Sequence, residues 1–225
     1  MGLARAKDSN VQMDGEVRPL LILRNGFYAR GMPSELPLRY RVRSWWLETK
    51  LHLRLAAKGF WRGLFDGSGI FGVGRLYISV IRANGGVEHF GLVSTKVVTD
   101  AGVAYIVDDW DGGAATIDAF NFHGCGTGGA AEAASNTTLT TESTTILNPD
   151  NLRATGTKSQ PSANIMRSVG TLTFDGAGAI TEHGLFSDVD VAEGTLLDRS
   201  LFSAVNVGNG DSIQFTYSLT LSAGG

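Results

Sequence analysis

The chain holds a single cysteine, Cys125, so no intrachain disulfide can brace it. Five prolines in 225 residues exclude a Pro-rich linker, and thirty glycines without a triplet period exclude collagen. Charged residues are also scarce, at 18%, where an ordinary soluble domain has roughly 25%. A chain with so little charge either buries an unusual share of its surface or keeps partners permanently. That favours an oligomer or an assembly component. No apolar run approaches the ~20 residues needed to span a bilayer, so no membrane partner is expected. The first apolar run, Leu20 to Leu23, is too short and begins too late for the core of a secretion leader. Synthesis in a cytoplasm is the expectation.

The net charge of −3 hides an asymmetry. Residues 1–65 carry twelve Lys/Arg against five Asp/Glu, whereas residues 66–225 carry seven against seventeen. A basic N-terminal segment on an acidic body reads as an arm that docks on an acidic surface, a neighbouring subunit or nucleic acid. The plainer reading is that Arg39, Arg41, Arg43, Arg54 and Arg62 solvate one long helix.

Along the chain, residues 1–37 read as an extended arm, with Asn25-Gly26 as a turn signal and Pro33 and Pro37 closing off any helix before Leu38. Residues 38–65 form a helix and its connector. The stretch 38–58 lacks Gly and Pro and is apolar on more than one side, as in a helix buried in its own fold or clamped between partners. A period-two strand reading of Arg39/Arg41/Arg43 survives beside it. From residue 66 to 225 the period becomes two: a hairpin over 75–82 and 87–94 turns at Asn84-Gly85-Gly86. Further strands are expected near 95–99, 102–107, 116–122, 166–174, 179–186, 195–203 and 212–221. The fold class is therefore mainly β: an N-terminal arm and one helix, then a β-sandwich or jelly-roll-like body.

The motifs that resemble chemistry are weak. Gly124-Cys-Gly-Thr-Gly-Gly129 satisfies G-x-G-x-x-G, but dinucleotide binding needs a long helix next, and only Ala130 to Ala134 could supply one turn. Asp108, Asp109 and Asp111 read as an acidic loop tip around Trp110, without the spacing of a calcium loop. Asp188 and Asp190 alternate as on the solvent face of a strand. His52, His89, His123 and His183 have no ligand spacing. Cys125, two residues from His123, reads as a buried structural thiol. No catalytic, cofactor-binding or metal-ligating residue is assigned, and no enzyme activity is expected.

Several blocks nevertheless carry a resemblance: NFHGCGTGGAAEAAS at 121–135, RATGT at 153–157, ITEHGLFS at 180–187, LLDRSLFS at 196–203 and GDSIQFTYSLTLSAGG at 210–225. With FDGSGIFGVGRLY at 65–77, they resemble structural proteins of tailed-bacteriophage virions, over most of residues 60–225. The resemblance implies a virion location, assembly in the bacterial host cytoplasm, and no active residues to carry over.

Three functions fit. The first is a capsid cement or decoration protein, expected as a homotrimer, that binds the major capsid protein and no sequence-specific nucleic acid. Its interface residues would be Trp45, Trp46, Phe60, Trp61 and Phe65, with Arg39, Arg41 and Arg43, because aromatic anchors concentrate interface energy. The second is a neck, tail or baseplate component. The third is a carbohydrate-binding β-sandwich with Trp110 or Tyr105 as stacking platform.

Overall fold

The computed structural model describes residues 20–22, 28–30, 45–50, 70–95 and 97–223. Residues 1–36 and 37–225 form two separate compact units. In the first, β1 (Leu20–Ile22) pairs antiparallel with β2 (Tyr28–Arg30). The Asn25-Gly26 turn expected between them lies outside the described residues. In the second, residues 45–50 are helical (α1). The rest of the helix expected over 38–58 also lies outside the described residues.

The sandwich proper begins at β3 (Ile70–Ile81), which turns back as β4 (Val87–Ser94). The expected hairpin is there. Gly85 sits at φ 83°, a backbone conformation that glycine adopts without steric cost. Next come β5 (Val97–Val98), helix α2 (Asp100–Trp110), β6 (Phe122–Gly126) and β7 (Ala154–Thr155). The remaining strands are β8 (Thr157–Ser162), β9 (Ile165–Thr173), β10 (Gly178–Phe186), β11 (Leu196–Val207) and β12 (Ser212–Ala223). They make two antiparallel five-stranded sheets, ordered β4-β3-β12-β9-β8 and β5-β11-β10-β6-β7.

Alternation explains why these sheets stack. In β3, Leu76, Ile78 and Val80 are at most 1% exposed while Arg75, Tyr77 and Ser79 face out. Ile213, Phe215 and Tyr217 do the same in β12, the strand between β3 and β9. From the other sheet, Ile180, Leu185, Val205 and Val207 join this one core, so the fold is a β-sandwich.

Several expectations change. The strand expected at 102–107 is part of α2. Thr99 caps the helix, its hydroxyl accepting from Gly102 N–H at 3.0 Å. The run Val103 to Val107 satisfies a period of two on paper, and the cap decides between the readings. Gly102 is required because a Cβ there would meet the Leu197 Cα at 2.8 Å. The acidic loop tip is accordingly the last turn of α2, with Asp111 as its C-cap. Asp188 and Asp190 lie beyond the end of β10, in the connection to β11, where Asp190 N–H donates to Asp188 Oδ1 at 3.0 Å. The helical turn expected at Ala130 to Ala134 is absent. Strand β8 (TKSQPS) was not expected, because it is a polar edge strand carrying Pro161. Among the described residues, no helix is long and apolar enough to cross a membrane.

Candidate functional site: buried polar networks and exposed aromatic residues

The glycine motif is held by a carboxylate. Glu182 on β10 and Arg199 on β11 are both 0% exposed and pair through Arg199 Nη2 and Glu182 Oε2 at 2.7 Å. Glu182 also accepts from the backbone N–H groups of Gly128 at 3.0 Å, Thr140 at 3.0 Å and Thr141 at 2.8 Å. Arg199 donates to the carbonyls of Ala130 and Ala131, to Asn136 Oδ1 and to Thr140 Oγ1. One ion pair therefore straps the whole loop 127–141 onto the sheet. A Cβ on Gly128 would come within 2.3 Å of Glu182 Oε1, and on Gly126 within 2.2 Å of the Thr141 carbonyl. These glycines permit that close approach, and the Gly128 amide faces protein carboxylate rather than phosphate.

A second clamp lies beside it. Arg153 Nε meets Glu142 Oε1 at 2.7 Å, its guanidinium lies 3.5 Å from the Phe186 ring centroid, and Nη1 donates to the Asp188 and Glu193 carbonyls. Leu139, Phe186 and Leu196 form a small apolar cluster beneath the same loop.

Inside the core runs a histidine chain. His123 Nδ1 lies 3.0 Å from His183 Nε2, and His123 Nε2 lies 2.8 Å from Ser168 Oγ, which donates to Asn121 Oδ1 at 3.2 Å. That order fixes the tautomers: His183 Nε2–H donates to His123, and His123 Nε2–H donates to Ser168. His183 Nδ1 is left without a hydrogen-bond partner. Desolvation lowers the His123 pKa to about 3. Desolvation, then the charge of His123, hold His183 well below its ordinary value. Both rings are neutral near pH 7, and both are 0% exposed, which keeps substrate away from Ser168 and the imidazoles.

Asp198 is a further buried polar residue. It accepts from Ser200 Oγ at 3.0 Å and from Tyr217 OH at 3.4 Å, and desolvation pushes its pKa up to about 8. Cys125 is 1% exposed and does not join His123. Desolvation pushes its thiol up to about 12, so the reactive thiolate is suppressed. A thiol reagent at pH 8 is expected to label the native protein far more slowly than the denatured one. Equal labelling rates by mass spectrometry would contradict this burial.

The open features are elsewhere. An open groove of about 240 Å³ is lined by Thr127, Ser143, Thr145 and Ile146, and its carboxylate, Glu142, is already bound to Arg153. Among the described residues, no three His, Cys, Asp or Glu gather as metal ligands. Trp45 and Trp46 on α1 are 39% and 50% exposed, and Lys50 Nζ sits 3.4 Å above the Trp46 ring. Glu48 fastens this turn to β3 through Arg75 Nε at 3.1 Å, and Arg75 reaches Thr220 on β12. Phe60, Trp61, Phe65, Arg39, Arg41 and Arg43 lie outside the described residues. Tyr105 packs on Phe120 with centroids 4.7 Å apart, which leaves Trp110, 73% exposed, as the open ring on α2.

Sequence reasoning missed both ion pairs and the histidine chain. The one signal was charged residues within otherwise apolar strands, as at Glu182, His183 and Arg199. It also missed the outward stripe Val103, Val107 and Trp110, whose spacing of four and three is helical. Comparison with known protein families, with curated proteins and with solved structures finds no match to this chain.

Proposed function

We propose that this chain is a structural component of a tailed-bacteriophage particle, most specifically a cement or decoration protein that stabilises contacts between major capsid proteins. The observation carrying this reading is how the polar and apolar groups are divided. The buried ionisable groups of Glu182, Arg199, Arg153 and the two histidines are spent on internal contacts, while large apolar side chains stand open on the two helical segments. A sandwich built this way serves as a rigid body that presents anchors. The resemblance of residues 60–225 to virion proteins supplies the particle.

Trp45 and Trp46 are the anchors to test. Adjacent helical residues diverge by about 100°, so the two rings address different directions from one turn. Replacing both by alanine is expected to detach the protein from purified particles or to block its addition, whereas moderate salt alone is not. A buried hot-spot Trp contributes on the order of 2–4 kcal/mol, against about 0–1 kcal/mol for an exposed ion pair. Co-sedimentation with particles measures the outcome. Unchanged attachment of the double variant, with release by salt, would show that charge alone holds the protein.

A neck, tail or baseplate position would use the same anchors at a ring interface. Copy number separates the two, on the order of hundreds per particle for the head and roughly six or twelve for a ring. The exposure of Trp110, at 73%, also favours a glycan-stacking reading of the body.

A further inference from the structure

The outward face of α2 is an apolar stripe with an acidic border. Val103, Val107 and Trp110 are 50%, 53% and 73% exposed and follow one another along one side of the helix. By helical geometry Asp100 and Asp111 fall within about 40° of Val107 around the axis. Residues 100–118 contain five aspartates and no Lys or Arg. Three large exposed apolar side chains along one helix side, beside this negative charge, form a patch of the kind that marks an interaction site.

The same chain contains a segment of inverse character. Leu38-Arg39-Tyr40-Arg41-Val42-Arg43 interleaves three arginines with three apolar residues and has no acid. We propose that the α2 stripe is a docking surface for this basic, apolar segment of a second copy of the chain. Charge complementarity selects the segment, and apolar burial on Val103, Val107 and Trp110 supplies the affinity. A second copy is the occupant because of reach. Trp45 lies in the helical turn that Glu48 ties to Arg75 and, through it, Thr220 on the β4-β3-β12-β9-β8 sheet. Helix α2 lies instead against Leu197 of the opposite sheet. The contact is heterologous, one copy's segment on the next copy's helix, and such contacts close into rings where the rotation between copies closes and run on as filaments where it does not.

This inference concerns how copies hold each other and does not rest on the particle role, which the Trp45/Trp46 variant tests separately. Sedimentation velocity of the full chain over a concentration series is the experiment. Wild type is expected to self-associate, and the pair Val107→Ser/Trp110→Ala to raise the dissociation constant on the order of 30-fold or more. Arg39→Glu/Arg41→Glu/Arg43→Glu is expected to weaken association as well. Asp100→Arg/Asp111→Arg is expected to weaken it alone and to restore it in combination with the arginine reversals. Circular dichroism confirms that each variant keeps its β signal. A monomeric wild type, unchanged association in the α2 variants, or failure of the combined charge reversal to restore it would overturn the proposal. So would loss of glycan binding by Trp110→Ala with self-association intact, because the stripe would then face a carbohydrate.

Discussion

Replacing Arg199 by alanine is expected to destabilise the fold by about 3–5 kcal/mol, the range for removing one partner of a buried ion pair. The residue is 0% exposed, and so is Glu182, whose charge would remain in the core without its cation. The Gly128, Thr140 and Thr141 amides would still donate to that carboxylate, so the loss falls short of a wholly uncompensated charge. The Ala130 and Ala131 carbonyls would lose their guanidinium donors, which loosens the loop as well. Protease cleavage within 127–141 is therefore expected before global unfolding. The double variant Glu182→Leu/Arg199→Met discriminates further. Apolar replacement of a buried pair often breaks even. Here it would orphan three backbone N–H groups, at about 1–3 kcal/mol for each one left buried without a partner. It is expected to remain destabilised. Urea unfolding followed by circular dichroism measures both variants, and a loss below about 1 kcal/mol for Arg199→Ala would show that the strap is not needed.

How much of this was legible in the sequence follows from how local each cause is. Strands β3, β4 and β12 were legible because alternation and a glycine turn are properties of neighbouring residues, and tertiary packing agreed with them. Helix α2 was not, since Val103 to Val107 carries both periods and Thr99 decides only as a cap. The glycine motif matched a nucleotide pattern because both need backbone without Cβ. The group it admits, Glu182, lies more than fifty residues further along the chain. The histidine chain joins β6, β9 and β10 through pairings that no spacing encodes. Of the interface residues read from the sequence, Trp45 and Trp46 are on the described surface and are open, as an anchor role needs. The stripe on α2 became legible only when the helix did.

Stability is expected to peak near pH 6.5 and to fall on both sides, for two separate reasons. His123 and His183 fold with pKa values below the ordinary 6.5, that of His123 at about 3, because burial disfavours the imidazolium. Their contribution is fully present above 6.5 and is lost as pH falls from 6.5 toward 3, when the unfolded chain binds protons that the core excludes. Each histidine removes up to about 1.4 kcal/mol per pH unit in that window. Asp198 acts in the opposite direction. Its folded pKa of about 8 lies above the ordinary 3.8, so its contribution is fully present below 3.8 and is lost as pH rises through 8. Below 6.5 two histidines oppose one aspartate, so the net effect of acid is a loss of stability. From 6.5 to 8 the histidines are silent and Asp198 alone lowers stability as pH rises. Asp198→Asn keeps a hydrogen-bonding group beside Ser200 and Tyr217 but cannot ionise. It is expected to flatten the alkaline limb, worth about 2 kcal/mol between pH 6.5 and 8, and to steepen the acid limb, where the histidines then act without an opposing aspartate. His183→Phe should do the reverse, shallowing the acid limb even though it strips His123 of its donor. Urea midpoints for the three proteins from pH 4.5 to 8.5 decide the matter. A wild-type midpoint that does not vary with pH, or an alkaline limb that survives Asp198→Asn, would mean that these groups are not buried in the protonation states their surroundings impose.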